Sequence, residues 1–225
     1  MWRRIFVGAL ITGTIAGLTV TLAQGARLFS LIEYGEFLEA GGGPAAAAPP
    51  YGVVTLGASL PRLVDTVSFN ILTGVAFALI LNAAIVLRGA PSGVRRGVLW
   101  GVFGFCVFAL APASGPPPEP PGIDLGNLAG RQLWWVLAVC GAALGLGLVV
   151  FARRFGLKII GVSITLLPHA FGPPPALGGH GAGVAVAFAR DFAVTSLLTT
   201  AFFWIVLGAL AGYLQNRYDA QGVGR

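Results

Sequence analysis

The stretch QLWWVLAVCGAALGLGLVVFA, residues 132–152, runs for 21 residues without a charged side chain. As helix at about 1.5 Å per residue it extends about 31 Å, the thickness of the hydrocarbon core of a bilayer. A soluble helix of that length carries a charged stripe facing water, and this one has no residues to make it. The stretch therefore reads as a membrane span.

Working outward, five further apolar blocks stand at 5–23, 66–87, 97–113, 156–171 and 192–214. Between them lie short basic or Pro/Gly-rich connections with no room for a soluble domain. Of the 225 residues, 56% are apolar and 10% charged, a composition outside the soluble globular range. The expectation is an all-α, polytopic membrane helical bundle, a single membrane domain over 1–225 with six transmembrane segments. The fifth block is the weakest. Lys158 stands at its start and Pro168 near its end, and at about 25 Å it either spans with local thinning or forms a re-entrant half-helix. The MWRR start could also open a cleavable signal, but its apolar run is longer than the usual h-region, and Gly13 and Gly17 are spaced for helix packing.

Basic residues accumulate on the cytoplasmic side of short loops. With six spans and both termini cytoplasmic, the inner side holds Arg3, Arg4, Arg88, Arg95, Arg96, Arg153, Arg154, Lys158, Arg217 and Arg225 against the single acid Asp219. The outer side holds Arg27, Arg62, Arg131 and Arg190, with Glu33, Glu36, Glu39, Asp65, Glu119, Asp124 and Asp191. The net charge of +6 is thus a topology signal, and nucleic acid is not an implied partner. In this arrangement the outer connections are GGGPAAAAPPYG, SGPPPEPPG and FGPPPALGGHG, stiffened by proline. Small residues four apart at Gly13/Gly17, Gly97/Gly101, Gly141/Gly145 and Gly208/Gly212 predict close helix approaches. Trp2 and Trp100 on the inner side, with Trp134 and Trp135 on the outer, read as interfacial anchors. A faint echo aligns 65–81 with 191–207, pairing Asp65 with Asp191, Phe77 with Phe203 and Leu81 with Leu207.

Enzyme signatures are missing: there is no Gly-Lys-Ser/Thr, no His-Glu-x-x-His and no Gly-x-Ser-x-Gly. Cys106 and Cys140 lack Cys-x-x-Cys spacing and read as small packing residues. The chemistry that remains is a set of outer-face carboxylates with His169 and His180. Carboxylate and imidazole together suit borderline divalent ions such as cobalt, nickel and zinc. Glu33, Glu36 and Glu39 would share one helix face, which in most helices is simply solvated. Asp65 and Asp191 each open a helix followed by polar residues at helical spacing, Thr66, Asn70 and Thr73, and Thr195 and Thr199. Two readings stand: N-caps with hydroxyls joining helices, or a polar track that a cation could follow. His169 follows Pro168, whose missing amide leaves the Ile164 carbonyl without its helical donor. That corner either ends a helix or binds an ion.

The runs RRGVLWGVFGFCVFALAPASGPPPEPPG (95–122), LAGRQLWWVLAVCGAALGLGLVVFA (128–152) and LLPHAFGPPP (166–175) resemble the CbtA family of predicted cobalt transporter subunits. The order agrees: an MWRR-type start, a first helix ending in Gln24, an acidic segment with Glu33 and Glu36, the Pro-rich cap, Arg131-Gln132-x-Trp134-Trp135, then Leu167-Pro168-His169. The first outer loop departs from relatives whose loops are richer in histidine.

The resemblance implies a multi-pass protein of the bacterial inner membrane that takes up cobalt for corrinoid synthesis beside a small single-span partner, CbtB. The motif positions include Glu119 and His169. The resulting expectation is a permease subunit, not an enzyme and without a cofactor, whose transported divalent cation meets His169, Glu119, Asp65 and Asp191. Only neutral imidazole ligates, so this reading expects uptake to fall in acid. The alternative is a non-transporting membrane scaffold or assembly subunit.

Overall fold

A computed structural model describes residues 2–42, 49, 59–89, 93–122, 126–174 and 186–222. The expected positions Asp124, His180 and Arg225, and most of the first and third Pro/Gly-rich caps, lie outside these residues. The described chain folds into α1 (Trp2–Gly25), α2 (Leu28–Glu39), α3 (Leu60–Arg88), α4 (Val94–Ala113), α5 (Leu128–Phe151), α6 (Phe155–Phe171) and α7 (Val186–Ala220). No strand occurs among the described residues.

Each of the six apolar blocks lies in a helix, and α1, α3, α4, α5 and α7 are long and apolar enough to cross a membrane. At 17 residues α6 is shorter, about 25 Å against a hydrocarbon core of about 30 Å. Large apolar side chains stand exposed on all of these helices, from Phe6 and Leu10 on α1 to Phe155 and Phe171 on α6. Such a surface is unfavourable in water and natural in lipid.

Two helices start earlier than hydropathy implied. Ser59 caps α3 by accepting from the Arg62 amide at 3.4 Å, with a proline in the first turn, so Asp65 is exposed in the second turn rather than at the cap. Asp191 likewise lies inside α7, five residues past Val186. The N-cap reading of both aspartates is therefore corrected. Charged residues near each start, Arg62 and Asp65 in α3 and Arg190 and Asp191 in α7, interrupt the apolar run that hydropathy registers.

The chain divides into two compact units. The first holds α1, the start of α2, α3, residues 94–105 of α4 and α7 from Leu198 onward. Its helices meet at glycines. A methyl built on Gly17 would lie 2.6 Å from the Asn70 carbonyl oxygen, and one on Gly13 would overlap the backbone of Gly74 and Val75. With Gly8 facing Asn82, the contacts run 8 to 82, 13 to 75 and 17 to 70, so α1 and α3 are antiparallel. Residues 97–101 of α4 meet Gly208 and Gly212 of α7 in the same way, with a Gly97 methyl 2.8 Å from the Gly212 Cα, and this pair is also antiparallel. Phe77 packs on Phe203 at 6.3 Å and on Trp204 at 4.9 Å, while Asn82 contacts Gln215, so α3 and α7 run in parallel.

The second unit holds the rest of α2, residues 106–113 of α4, α5, α6 and the first part of α7. α5 and α6 pair antiparallel through Gly141, Gly145 and Gly161; a Gly161 methyl would lie 2.9 Å from the Leu148 Cβ. All four expected glycine pairs are thus contact seams. Residues 106–110 of α4 widen into a π-helical turn just before Pro112. Proline cannot donate to the carbonyl four residues back, and a π turn is a usual accommodation of such a break.

Candidate functional site

In the second unit, motifs expected at the outer face converge on one corner. α4 ends at Pro112 and Ala113, leaving C-terminal carbonyls without helical donors. The Ala111 carbonyl accepts from the Ser114 amide at 3.2 Å and the Ser114 hydroxyl at 2.7 Å. It also accepts from His169 of α6, whose ring Nε2 is 2.8 Å away. The other ring nitrogen, Nδ1, lies 3.1 Å from the Thr165 carbonyl oxygen. A carbonyl only accepts, so each contact needs an N–H. The neutral ring has one and the imidazolium two. Both ring nitrogens are directed at carbonyl oxygens, so ligation requires His169 to exchange at least one carbonyl for the ion.

Trp134 of α5 completes the corner. Its ring stands edge-on to His169 with centroids 5.6 Å apart, and its indole N–H donates to the Pro168 carbonyl at 3.2 Å. Gly115 leaves room for the indole, since a methyl there would lie 2.8 Å from Trp134 Cζ2. Trp134 is therefore a buried packing residue rather than an interfacial anchor, whereas Trp135 is exposed. The Ile164 carbonyl released by Pro168 faces Gly141, whose added methyl would be 3.1 Å from it. The expected free carbonyl is thus covered by the neighbouring helix.

Glu119 accepts from Arg131 of α5 at 2.8 Å, and both side chains are mostly buried. The charge expected to draw a cation is already compensated. Two residues on, Pro121 and Gly122 pack against α2: a methyl on Gly35 would sit 2.9 Å from Pro121 Cδ, and one on Gly122 would sit 3.3 Å from the Glu39 Cβ. The acidic segment was expected to be a solvated face, yet only Glu39 is exposed. Glu33 and Glu36 are half-buried, and Glu33 Oε1 is buried with no hydrogen-bond partner among the described residues.

The four expected ligands do not form one cluster. Among the described residues, no group of three or more His, Cys, Asp and Glu side chains is placed to hold a metal. His169 and Glu119 belong to the second unit together with Asp191; Asp65 belongs to the first. Of the hydroxyl and amide stripe on α3, Thr66 returns to the Arg62 carbonyl at 2.9 Å. Asn70 donates to Thr21 at 2.9 Å and to Gln24 at 2.7 Å on α1. Of this stripe, Asn70 joins α3 to α1, whereas Thr66 bonds within its own helix.

A polar chain in the first unit lies outside the expected ligand set. Arg4 of α1 pairs with Asp219 of α7 and reaches Gln215 Oε1 at 3.2 Å. Gln215 in turn donates to Asn82 Oδ1 at 2.9 Å, and Asn82 donates to the Ala78 carbonyl at 2.9 Å. Gln215 is 1% exposed and Asn82 fully buried. The available signal was an amide within, or just after, an apolar block.

Comparison with curated proteins and with solved structures gives no match. The family described as "Probable cobalt transporter subunit (CbtA)" matches residues 2–216, nearly the whole chain. With its apolar helices, the chain is a multi-pass membrane protein that belongs to the CbtA family of probable cobalt transporter subunits.

Proposed function

We propose that the chain is an inner-membrane permease subunit of bacteria that moves a divalent transition cation, cobalt destined for corrinoid synthesis, inward beside a small single-span CbtB-like subunit. The observation that carries this reading is the family match over residues 2–216. No nucleotide motif is needed for the drive: a +2 ion moving inward gains about 4.6 kcal/mol per 100 mV of membrane potential.

Parity supports six crossings within one membrane domain. α4 and α7 are antiparallel where they touch, and α3 and α7 are parallel. If α3, α4, α5 and α7 each cross, α7 acquires that direction only when α6 crosses too. A re-entrant α6 would leave α7 parallel to α4. The Arg4–Asp219 pair joins the start of α1 to the end of α7, which supports both termini on one side. The charge asymmetry assigns that side to the cytoplasm.

In this reading His169, Glu119, Asp65 and Asp191 are the outer residues that attract the ion and strip part of its water. At rest His169 is held by carbonyls and Glu119 by Arg131. Binding is then an exchange, in which the ion replaces protein donors instead of filling an open cage. Cobalt uptake unchanged in a chain carrying both His169→Ala and Glu119→Ala would remove this site.

A further inference from the structure

Arg4 Nη2 is surrounded by oxygen. One nitrogen of the guanidinium pairs with the Asp219 carboxylate, lies 3.2 Å from the Gln215 side-chain oxygen and 3.5 Å from the Gln215 backbone oxygen. The side-chain oxygen is held in that direction. Gln215 Nε2 donates to Asn82 Oδ1, and Asn82 is itself fixed by donating to the Ala78 carbonyl, so the amide cannot turn without breaking both. The end of α7 adds the negative pole of a helix beneath the carboxylate. Arg4 fits this setting incompletely: its Nε is buried without a hydrogen-bond partner among the described residues.

We infer that the oxygens of Gln215 and Asp219 form a divalent-cation site at this end of the first unit, and that Arg4 fills it as a tethered cation. The guanidinium supplies the charge that the oxygens require when no ion is present. It is chemically a stand-in for a metal: a positive group held by a carboxylate, an amide oxygen and a backbone oxygen. Oxygen donors alone hold first-row divalent ions less firmly than sets containing imidazole, which suits a position of release. In the orientation proposed above, this end is the cytoplasmic mouth, and an inward-moving ion displaces Arg4 and is then expelled when Arg4 returns. Asn82 acts as a positioning residue for the Gln215 oxygen.

The role as a release point rests on the transport reading, but the site itself does not, so it is tested by binding. Mn²⁺ is titrated into the purified full chain and its stoichiometry read by electron paramagnetic resonance. Arg4→Ala is expected to bind one more Mn²⁺ per chain than the wild type, and Arg4→Ala with Asp219→Asn is expected to lose that gain. Arg4→Gln, which keeps hydrogen-bonding capacity, carries the same expectation if Arg4→Ala does not yield a monodisperse protein. An unchanged stoichiometry in the folded single variant, or a gain that survives Asp219→Asn, overturns the site. Failure of cobalt uptake leaves this binding result untouched, so the two readings fail separately.

Discussion

His169 Nε2 lies 2.8 Å from the carbonyl oxygen of Ala111, so a histidine in the last turn of α6 closes the C-terminal end of α4. The contact gives the residue a structural duty that a metal would have to interrupt. His169→Ala should lower stability by about 1 kcal/mol, the usual worth of one such hydrogen bond. His169→Gln can still donate to Ala111 and should recover most of that loss in a thermal melt. Uptake should remain low in both variants if the imidazole ligates, and should recover in the glutamine variant if it only caps.

Glu119 is the second test, because Arg131 compensates it at 2.8 Å. Arg131→Gln frees the carboxylate, and half-saturation of cobalt uptake should shift severalfold to lower concentration. Glu119→Gln should shift it upward. The pair is mostly buried, so either change leaves one charge uncompensated and should cost about 1–3 kcal/mol of stability, measured by denaturation in detergent.

Close helix approach makes a prediction with an internal control. A methyl on Gly145 would overlap the Thr165 hydroxyl and the Gly161 carbonyl, whereas one on Gly147 of the same helix meets nothing within 4 Å. Gly145→Ala should destabilise by about 1–3 kcal/mol and lower the yield of folded protein. Gly147→Ala should do neither, as size-exclusion profiles of the two variants would show.

The direction of α6 can be read from both of its ends. In a background with Cys106 and Cys140 replaced, a single cysteine at Arg154 should react with impermeant maleimide only from the cytoplasmic side. A cysteine at Gly172 should react only from the outside. Labelling of both positions from the same side would make α6 re-entrant.

Helix placement was legible because desolvating backbone and charge in lipid is costly, so apolar blocks of spanning length have few alternatives. The same reasoning exposed the glycine seams, since Gly13, Gly97, Gly141 and Gly208 each recur at a spacing that keeps one helix face bare. It fell short where charge and helix coexist. α2 carries three glutamates within its helix, and charged residues interrupt the beginnings of α3 (Arg62, Asp65) and α7 (Arg190, Asp191), so hydropathy gave no sign of their extent. The site was legible as a list of residues but not as a geometry. That Ala111 would face His169 depends on α4 ending at Pro112, and that Arg4 would meet Gln215 depends on a packing spanning 211 positions. Trp134 and Trp135 are adjacent and identical in type, yet one is buried on Gly115 and the other exposed, a difference set by helix rotation.

The central claim, that this chain moves cobalt inward, is met most directly by metal-resolved uptake in cells with and without it, alone and beside a CbtB-like subunit. The account predicts cobalt accumulation that requires the chain, collapses when the membrane potential is dissipated and is reduced by His169→Ala with Glu119→Ala. Equal accumulation of every divalent ion in cells with and without the chain would contradict it and leave a membrane scaffold as the reading that stands.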